Sequence, residues 1–489
     1  MKSFGNIAKD GQVRAVASGT LTDGKAVIVN SNGTVSTVTG SGSAAGVSSK
    51  VIFEGAVEHT GATYDTNSNK VVFCYKDDDN SDYATAIVGT VSGDSISFGT
   101  PVVYSSINTD ASHATFDSSN NKVVISYYKN NVDTMHCIVG TVSGTNISFG
   151  SEAQFGTTGV YNAITFDSSN NKVVVVYRDG SNNNYATAKV GTVSGTSISF
   201  GSASVFMSSN ANRAINVGFD SSNNKIVAFA GDYSDDHTLK VKVGTVSGTS
   251  ISFGSEVEIS GNKSSAATGI TFDTTNNKIV ISYNNRSNNF YATAVVGTVS
   301  GTSISFGTPV AITSATSGDQ ELAFNSSLGK VGMLTPDNSS GNYDNYFYPL
   351  TVNGTSISAG DRLVVETFVS GSGSHSSWAM TYDPDSNKFP VMYSDATGST
   401  RYGASRLISM NSLVTNVTSE NFIGFSDGAF ATTQSAAINT ANTIDRNQSG
   451  LTAGQTYFVQ TDGTLGTTAA DPSVTAGTAI SATELIVKG

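Results

Sequence analysis

The sequence is poor in charged residues, and basic residues are the scarcer kind. Charged side chains make up 13% of the chain, about half the usual share. Lys and Arg number 26 against 38 Asp and Glu, a net charge of −12. This balance argues against a protein that binds the nucleic-acid backbone, which needs clustered basic side chains. No apolar run is long enough to span a membrane, so we expect no membrane insertion.

Cysteine is nearly absent, and no export signal is visible. Cys74 and Cys137 lie in the apolar runs "VVFCY" and "MHCIVG". A disulfide between them is one alternative, but we expect two small buried side chains. The first residues, "MKSFGNIAKDGQ", lack the apolar core of a signal peptide. An adhesin-like polar surface without export favours a virion protein that is made in the host cytoplasm and released by lysis.

One segment recurs seven times along the chain. Each copy is marked by an aromatic residue followed by Asp or Asn. These anchors are Tyr64-Asp65, Phe116-Asp117, Phe166-Asp167, Phe219-Asp220, Phe272-Asp273, Phe324-Asn325 and Tyr382-Asp383. They are spaced by 52, 50, 53, 53, 52 and 58 residues. Such a period is typical of propeller blades rather than of helical repeats.

Each copy contains four strand-like runs. In residues 163–201 they are "AITFD", "KVVVVY", "ATAKVGTV" and "ISFG", separated by Ser, Asn and Gly that suit tight turns. We predict an all-β fold, a seven-bladed β-propeller of four-stranded blades over residues 51–422, with a β-solenoid as the alternative. The seventh copy is degenerate, and we expect "RLISMNSLVTNVTSENFIG" (residues 406–424) to supply its last two strands.

The flanks, residues 1–50 and 423–489, each carry a hairpin signal. "SGTLTDGKAVIVNSNGTVSTV" begins at Ser18 and "SGLTAGQTYFVQTDGTLGTT" begins at Ser449. Both contain Leu-Thr-x-Gly and then an Asn-Gly-Thr or Asp-Gly-Thr turn. We expect two related β hairpin units that pack into one small accessory module. The run Val51–Glu58 either closes the ring or belongs to the N-terminal flank.

The C-terminal residues carry a family resemblance. The segment from "SENFIGFSDGAF" to "TAGTAISATELIVKG" (residues 419–489) resembles the end of structural proteins of marine tailed phages, described as tail fibres. The "VGTVSGTSISFG" blades are similar to repeats in such proteins. The resemblance implies a virion component, a fibre or host-contact protein, with other virion proteins as partners and no catalytic residues. Fibres are commonly homo-oligomers, which we expect here, although no coiled-coil heptads indicate a trimer.

Hairpin connectivity separates constant from variable segments. The constant turns "DSSNNK" and "VSGTS" fall on one side of the predicted disc, and the variable connections fall on the other. Variable loops on a rigid support often carry recognition, and their Asp, Asn, Arg and Tyr suit sugars or protein surfaces. We predict that this face binds a host surface glycan or protein. The predicted ligand-binding residues are Trp378, His375, Arg178, Asp179, Asp235, Arg286, Tyr343, Tyr346 and Arg401.

Metal and catalytic motifs are weak. We expect each anchor Asp to cap its own turn rather than to hold a cation. "DDDNSD" (residues 77–82) offers calcium-like oxygens but lacks the Gly and Glu of a helix–loop–helix site, so no cofactor is expected. Histidines lack metal-ligand spacing, and no nucleophile elbow occurs. A non-enzymatic protein is therefore predicted. The alternatives are a purely structural tail, collar or capsid-decoration component and a glycan hydrolase, which needs paired carboxylates.

Overall fold

The computed structural model describes residues 11–41, 45–159, 161–264, 268–339, 344–367, 377–395, 401–410, 414–470 and 472–488. The chain forms two units: Ala45–Met410, and a second unit made of both chain ends, Met1–Ala44 with Asn411–Gly489. Among the described residues, the only helices are three-residue 3-10 turns at Asp78–Asn80, Tyr233–Asp235 and Arg286–Asn288. No helix in this part of the chain has the length and apolar character needed to traverse a lipid bilayer.

Each sequence copy in the Ala45–Met410 unit folds into antiparallel strands that we number one to four, and the strands of copies one and two, and of copies three and four, belong to continuous sheets. The first strands are Val57–Asp65, Val102–Asp117, Asn162–Asp167, Ser204–Asp220, Thr268–Asp273, Glu321–Asn325 and Trp378–Met380. The second strands are Lys70–Asp77, Lys122–Lys129, Lys172–Asp179, Lys225–Asp232, Lys278–Asn285, Lys330–Asp337 and Phe389–Asp395. The third strands are Tyr83–Ser92, Thr134–Ser143, Tyr185–Ser194, Thr238–Ser247, Tyr291–Ser300, Asp344–Asn353 and Tyr402–Ser409.

The fourth strand of each copy is broken into two pieces, and both pair with the third strand. The first pieces are Ser95–Phe98, Asn146–Phe149, Ser197–Phe200, Ser250–Phe253, Ser303–Phe306, Ser356–Ala359 and Gly46–Val47. Five second pieces are Ala153–Thr157, Val257–Lys263, Val310–Thr316, Leu363–Glu366 and Val51–Glu54. In copies one and three the second piece is the start of Val102–Asp117 or Ser204–Asp220, which runs on into the first strand of the next copy.

The hydrophobic core lies between successive sheets. Val124 and Val139 of copy two, for example, share one buried cluster with Val173 and Val175 of copy three. Because the second strand is covered on both faces, its apolar residues run continuously instead of alternating. Cys137 lies in the same cluster and Cys74 in another, and both are buried free thiols, as predicted. Burial raises the pKa of the Cys74 thiol to about 12.

A glycine at the end of the "SISFG" run packs against the following copy. At Gly201, a Cβ atom would overlap the backbone carbonyl oxygen of Thr249 in the "VSGTS" turn of copy four. The same relation holds for Gly99 with Thr145, Gly150 with Thr196, Gly254 with Thr302 and Gly307 with Thr355. Only glycine fits where the two backbones meet. One repeated contact therefore requires the glycine that ends the "SISFG" motif.

The anchor aspartates cap the turns that follow them. Asp167 Oδ1 accepts hydrogen bonds from the backbone N–H groups of Ser169 and Asn170, both at 3.0 Å. The same bonding occurs at Asp65, Asp117, Asp220, Asp273 and Asp383. The structure thus confirms the interpretation of these residues as local caps.

The predicted last strand of copy seven is wrong. Tyr402–Ser409 pairs with Gly46–Val47 and Val51–Glu54 from the beginning of the chain, and Ser405 lies opposite Val51. Copy seven also contacts copy one, since the His59 N–H donates to Ser377 Oγ at 3.1 Å. A linear β-solenoid keeps its first and last copies apart, so the observed contact contradicts that alternative. Residues 411–424 lack the "SISFG" pattern that the outer strand position requires.

The predicted domain boundaries shift accordingly, from residues 51 and 422 to Ala45 and Met410. Phe422–Ser426 belongs to the chain-end unit, where it pairs with Ala26–Val29. The physical reason is its packing, because Phe422 and Phe425 share a core with Ile28.

The chain-end unit contains three sheets in its described residues. The first has the order Gln12–Val16, Ser435–Asn439, Phe422–Ser426, Ala26–Val29 and Val35–Thr37, so both chain ends share it. The second has the order Ile444–Asp445, Leu485–Val487, Thr475–Ala479, Thr456–Val459 and Leu465–Gly466. Gly40–Ser41 pairs with Val414–Thr415.

The two hairpin signals form the same turn. The Asn30 N–H donates to the Thr34 carbonyl at 2.8 Å, and the Gln460 N–H donates to the Thr464 carbonyl at 2.8 Å. In each, the glycine has a φ of 81°, a left-handed conformation that glycine adopts without strain.

We expect Gly201→Ala to destabilise the protein by about 1–3 kcal/mol, the usual cost of overpacking, because its Cβ would overlap the Thr249 carbonyl. Gly46→Ala is the matched control, since its Cβ would meet no atom within 4 Å. Thermal unfolding of both variants tests this. Equal melting temperatures would show that the glycine contact is dispensable.

Candidate functional site

The first strands of all seven copies surround one axial cavity of about 690 Å³. Since these strands run in the same direction, their capped turns gather at one end, which we call the turn face. Lys388, in the first–second turn of copy seven, hydrogen-bonds Gly93 in the third–fourth turn of copy one. Both kinds of constant turn therefore meet there. We call the opposite end, where the variable connections lie, the loop face.

A smaller axial chamber of about 180 Å³ lies where the first strands begin, and every copy contributes to its lining. The aromatic side chains of Tyr161 and Trp378 line it, with the imidazoles of His59 and His113. Burial lowers the pKa of His113 to about 4, and the charge of His59 acts in the same direction. His113 is therefore neutral at pH 7.

Copy six contributes three consecutive polar side chains to this chamber. Burial raises the pKa of Glu321 to about 8, and the negative charge of Asp319 adds to the shift. Burial also raises the pKa of Asp319, against the opposing charges of Arg213 and His59. Gln320 is 2% exposed, and in the described structure neither its Oε1 nor its Nε2 has a hydrogen-bond partner. A buried amide without partners is costly, so Gln320 offers a ligand both a donor and an acceptor.

A second cavity, the inter-copy cleft, lies between copies three and four and has a volume of about 290 Å³. Its lining is Tyr161, Arg178, Asn210, Ala211, Asn212, Arg213, Tyr233 and His237. Tyr161 and Arg213 also line the axial chamber, so the two cavities are neighbours.

Aromatic and basic groups are held in place within the cleft. The Arg213 guanidinium lies 5.6 Å from the centre of the Tyr161 ring, a cation–π contact. Asn212 Nδ2 lies 2.9 Å from His237 Nδ1, and the His237 ring meets the Tyr233 ring edge-on at 5.1 Å. Tyr233 is nevertheless 61% exposed, so its ring is available to a ligand.

The variable loop of copy four positions Tyr233 by a local cap. Asp232 accepts a hydrogen bond from the Ser234 N–H at 2.9 Å and begins the 3-10 turn Tyr233–Asp235. A salt bridge of 2.9 Å between Lys240 Nζ and Asp232 Oδ2 fixes the cap from the neighbouring strand. The rigid end of the second strand thus presents the tyrosine on the loop face.

Two of the predicted ligand-binding residues line these cavities. Arg178 lines the cleft, and Trp378 lines the chamber. Trp378 is only 5% exposed, and its Nε1–H donates to the Asp319 carbonyl at 3.2 Å, so it forms a wall rather than an open platform. His375 and Tyr343 lie outside the described residues.

The other five predicted residues are dispersed. Asp179 caps its own loop by accepting from the Ser181 N–H at 3.1 Å. Tyr346 is buried beneath Arg362, whose guanidinium lies 4.0 Å from the ring centre. Asp235 forms a salt bridge of 3.4 Å with Lys240, and Arg401 forms one of 2.9 Å with Glu58. Arg286 lies outside both cavities. The structure does not bring these five together.

The prediction missed most of the residues that line the two cavities. Tyr233 and His237 stand in the variable loop "GDYSDDH", and Tyr161 and Arg213 stand in crossover connections, so their placement on the loop face was a usable signal. Gln320 and Glu321 had no such signal, because only the ring arrangement buries the start of the first strand.

No protein-family model matches this chain, and no curated protein does. Among solved structures, the SapL1 lectin in complex with alpha methyl fucoside has a TM-score of 0.42 and 14% identity, covering 64% of this chain and 97% of its own. AofleA from Arthrobotrys oligospora has a TM-score of 0.40, 9% identity and coverages of 70% and 97%. A protein from Lactobacillus plantarum has a TM-score of 0.42, 10% identity and coverages of 75% and 97%. All three likenesses are distant.

The raised pKa of Glu321 predicts a pH-dependent stability. The folded protein holds this proton more tightly than the unfolded chain, so the free energy of unfolding falls as pH rises from the usual glutamate pKa of 4.5 to about 8. We expect Glu321→Gln to remove this decline and to be more stable than the wild type at the upper end of that range. Denaturant unfolding across this pH range measures it, with the exposed Glu420→Gln as the control. Parallel curves for wild type and Glu321→Gln would contradict the buried-acid assignment.

Proposed function

We propose that this chain is a non-enzymatic carbohydrate-binding protein whose loop face binds a glycan on a host surface. We infer that the ring is a seven-bladed β-propeller of four-stranded blades and that the chain ends form its accessory module. The observation that carries the proposal is the inter-copy cleft, in which an exposed tyrosine stands beside two arginines and two asparagines.

These side chains match the chemistry of a sugar. An aromatic ring packs on the apolar face of a pyranose, while guanidinium and amide groups bond its hydroxyls. Tyr233 supplies the exposed ring, and Asn210 contributes a buried Oδ1 that has no hydrogen-bond partner in the described structure. Such an acceptor favours a ligand rich in hydroxyl donors.

The dimensions of the cleft favour a glycan over a protein partner. Its volume of about 290 Å³ is close to the lower limit of small-molecule sites, about 300 Å³. A stable protein interface instead covers about 800 Å² on each partner. A concave cleft of this size suits one or two sugar rings at the end of a surface polysaccharide.

We further propose that the protein works on a phage particle, as a tail fibre or host-contact protein. Support comes from the sequence resemblance of residues 419–489, which fall in the chain-end unit. That unit, rather than the loop face, would then hold the other virion proteins and further copies of this chain. The purely structural alternative needs only these contacts and leaves the unpartnered groups of the cleft without a role.

The glycan hydrolase alternative is favoured by one observation, because Asp319 and Glu321 line the same chamber and the pKa of each is raised. Glycoside hydrolysis uses such a pair, in which one carboxylic acid with a raised pKa lies beside a second carboxylate. The chamber holds only about 180 Å³, however, which is below the usual range for small-molecule sites, about 300–1,000 Å³. Sugar rings on both sides of a scissile bond would not fit inside it, and binding is therefore preferred.

We expect the wild-type protein to bind a subset of bacterial surface polysaccharides on a printed array, and Tyr233→Ala to lose that signal. Tyr402→Ala is the matched control, because Tyr402 is 39% exposed and lines neither cavity. Retained binding by Tyr233→Ala would remove the cleft from the proposal. Binding of the wild type to no glycan would leave the structural role in its place.

Incubation of the wild type with a polysaccharide that it binds should release no new reducing ends. Release that disappears in Glu321→Gln would establish the hydrolase instead, since only that reaction needs the carboxyl proton.

A further inference from the structure

We propose that the inter-copy cleft selects acidic glycans, with Arg178 and Arg213 holding a carboxylate or sulfate group on the sugar. This inference rests on the proposed function and names the ligand class of the same site. It begins from an imbalance of charge. The chain as a whole has a net charge of −12, yet the lining of the cleft contains two arginines and no Asp or Glu.

In copy one, the position equivalent to Arg178 also holds a basic side chain, and acidic side chains of the protein neutralise its charge. Lys76 holds the equivalent position in the second strand of copy one. Lys76 pairs with Ala84 of the third strand, just as Arg178 pairs with Ala186 in copy three. Lys76 Nζ lies 3.2 Å from a Glu58 oxygen, 3.6 Å from Asp78 and 3.4 Å from Asp82. In copy one, therefore, the protein itself neutralises the charge at this position.

Copy three keeps the cation without these acids. Its loop reads "RDGSNNNY" where copy one reads "KDDDNSDY", so Gly, Ser and Asn replace most of the carboxylates. The carboxylate that remains, Asp179, accepts from Ser181 and caps the loop. Within the described residues no carboxylate pairs with Arg178, and its buried Nε has no hydrogen-bond partner. A partly buried guanidinium in this state favours an anion brought by a ligand.

Arg213 adds a second guanidinium to the same cleft, held over the Tyr161 ring. Its charge also acts on Asp319 in the axial chamber, but no ion pair within 4 Å joins Arg213 to any described carboxylate. A guanidinium can donate two parallel hydrogen bonds to a carboxylate or a sulfate. With the acidic group between the arginines, the sugar ring would lie toward the exposed Tyr233.

Matched pairs of polysaccharides test the charge requirement. Comparing the binding of dextran sulfate with that of dextran tests recognition of a sulfate group. Comparing polygalacturonate with its methyl ester tests recognition of a carboxylate group. Binding is measured on immobilised full-length protein at low and at high salt. We expect one acidic member to bind and its neutral partner to be at least tenfold weaker, with affinity decreasing as salt increases.

Variants assign the effect to the cleft. Arg178→Gln and Arg213→Gln should each weaken binding of the acidic polysaccharide by about tenfold to a hundredfold, the loss expected for a charge-assisted hydrogen bond. Arg446→Gln removes the same charge from the chain-end unit, where Arg446 pairs with Glu484, and should bind as the wild type does. Arg178→Lys keeps the positive charge but lacks the planar guanidinium that donates two parallel hydrogen bonds. This variant should therefore bind more strongly than Arg178→Gln and less strongly than the wild type. Unchanged melting temperatures exclude misfolding as the cause.

The outcomes separate the inference from the proposed function. Binding of neutral polysaccharides alone, or equal loss in Arg446→Gln, would overturn the acidic-ligand inference and leave carbohydrate binding intact. Acidic binding that neither arginine variant weakens would also overturn it. Binding of no polysaccharide, acidic or neutral, would overturn both.

Discussion

The contact between a glycine and the next copy's turn is the constraint on which the ring depends. Where Gly150 meets the Thr196 carbonyl, the two backbones touch without an intervening side chain. Five successive interfaces repeat this contact, so the spacing between sheets is set by backbone atoms. A side chain in place of the glycine in the "FG" of one copy would overlap the next copy's turn, which explains why this glycine is constant in copies one to five.

The same constraint explains where variation is permitted. The turn face carries the turns that the anchor aspartates cap, and the interlocking glycines contact the third–fourth turns there. On the loop face, the side chains of the connections differ from copy to copy. Glu58 and Lys76 of copy one form an ion-pair network with Arg401 of copy seven, whereas no described carboxylate pairs with Arg178 or Arg213 in the cleft between copies three and four. A rigid scaffold thus carries one neutralised surface and one basic cleft.

Ring closure shows how a degenerate copy is accommodated. Copy seven lacks the interlocking motif, and its outer strand comes from Gly46–Val47 and Val51–Glu54 at the other end of the chain. The chain segment that leads into copy one thereby completes copy seven, and this strand pairing joins the first and last copies. Residues 411–489 are left to fold with residues 1–44 as a separate unit.

Local patterns in the sequence determined the strands, the caps and the turns. Asp167 lies two and three residues before the N–H groups that it caps, and the "VVVVY" run is apolar because its strand is covered on both faces, so short-range spacing was sufficient. Tertiary structure alone decided which strand completes copy seven and which side chains share a cavity. Tyr161 lines the cleft with Tyr233 and the axial chamber with Gln320. These three residues come from different copies, so their placement depends on how the sheets pack, a relation that residue spacing within one copy does not contain.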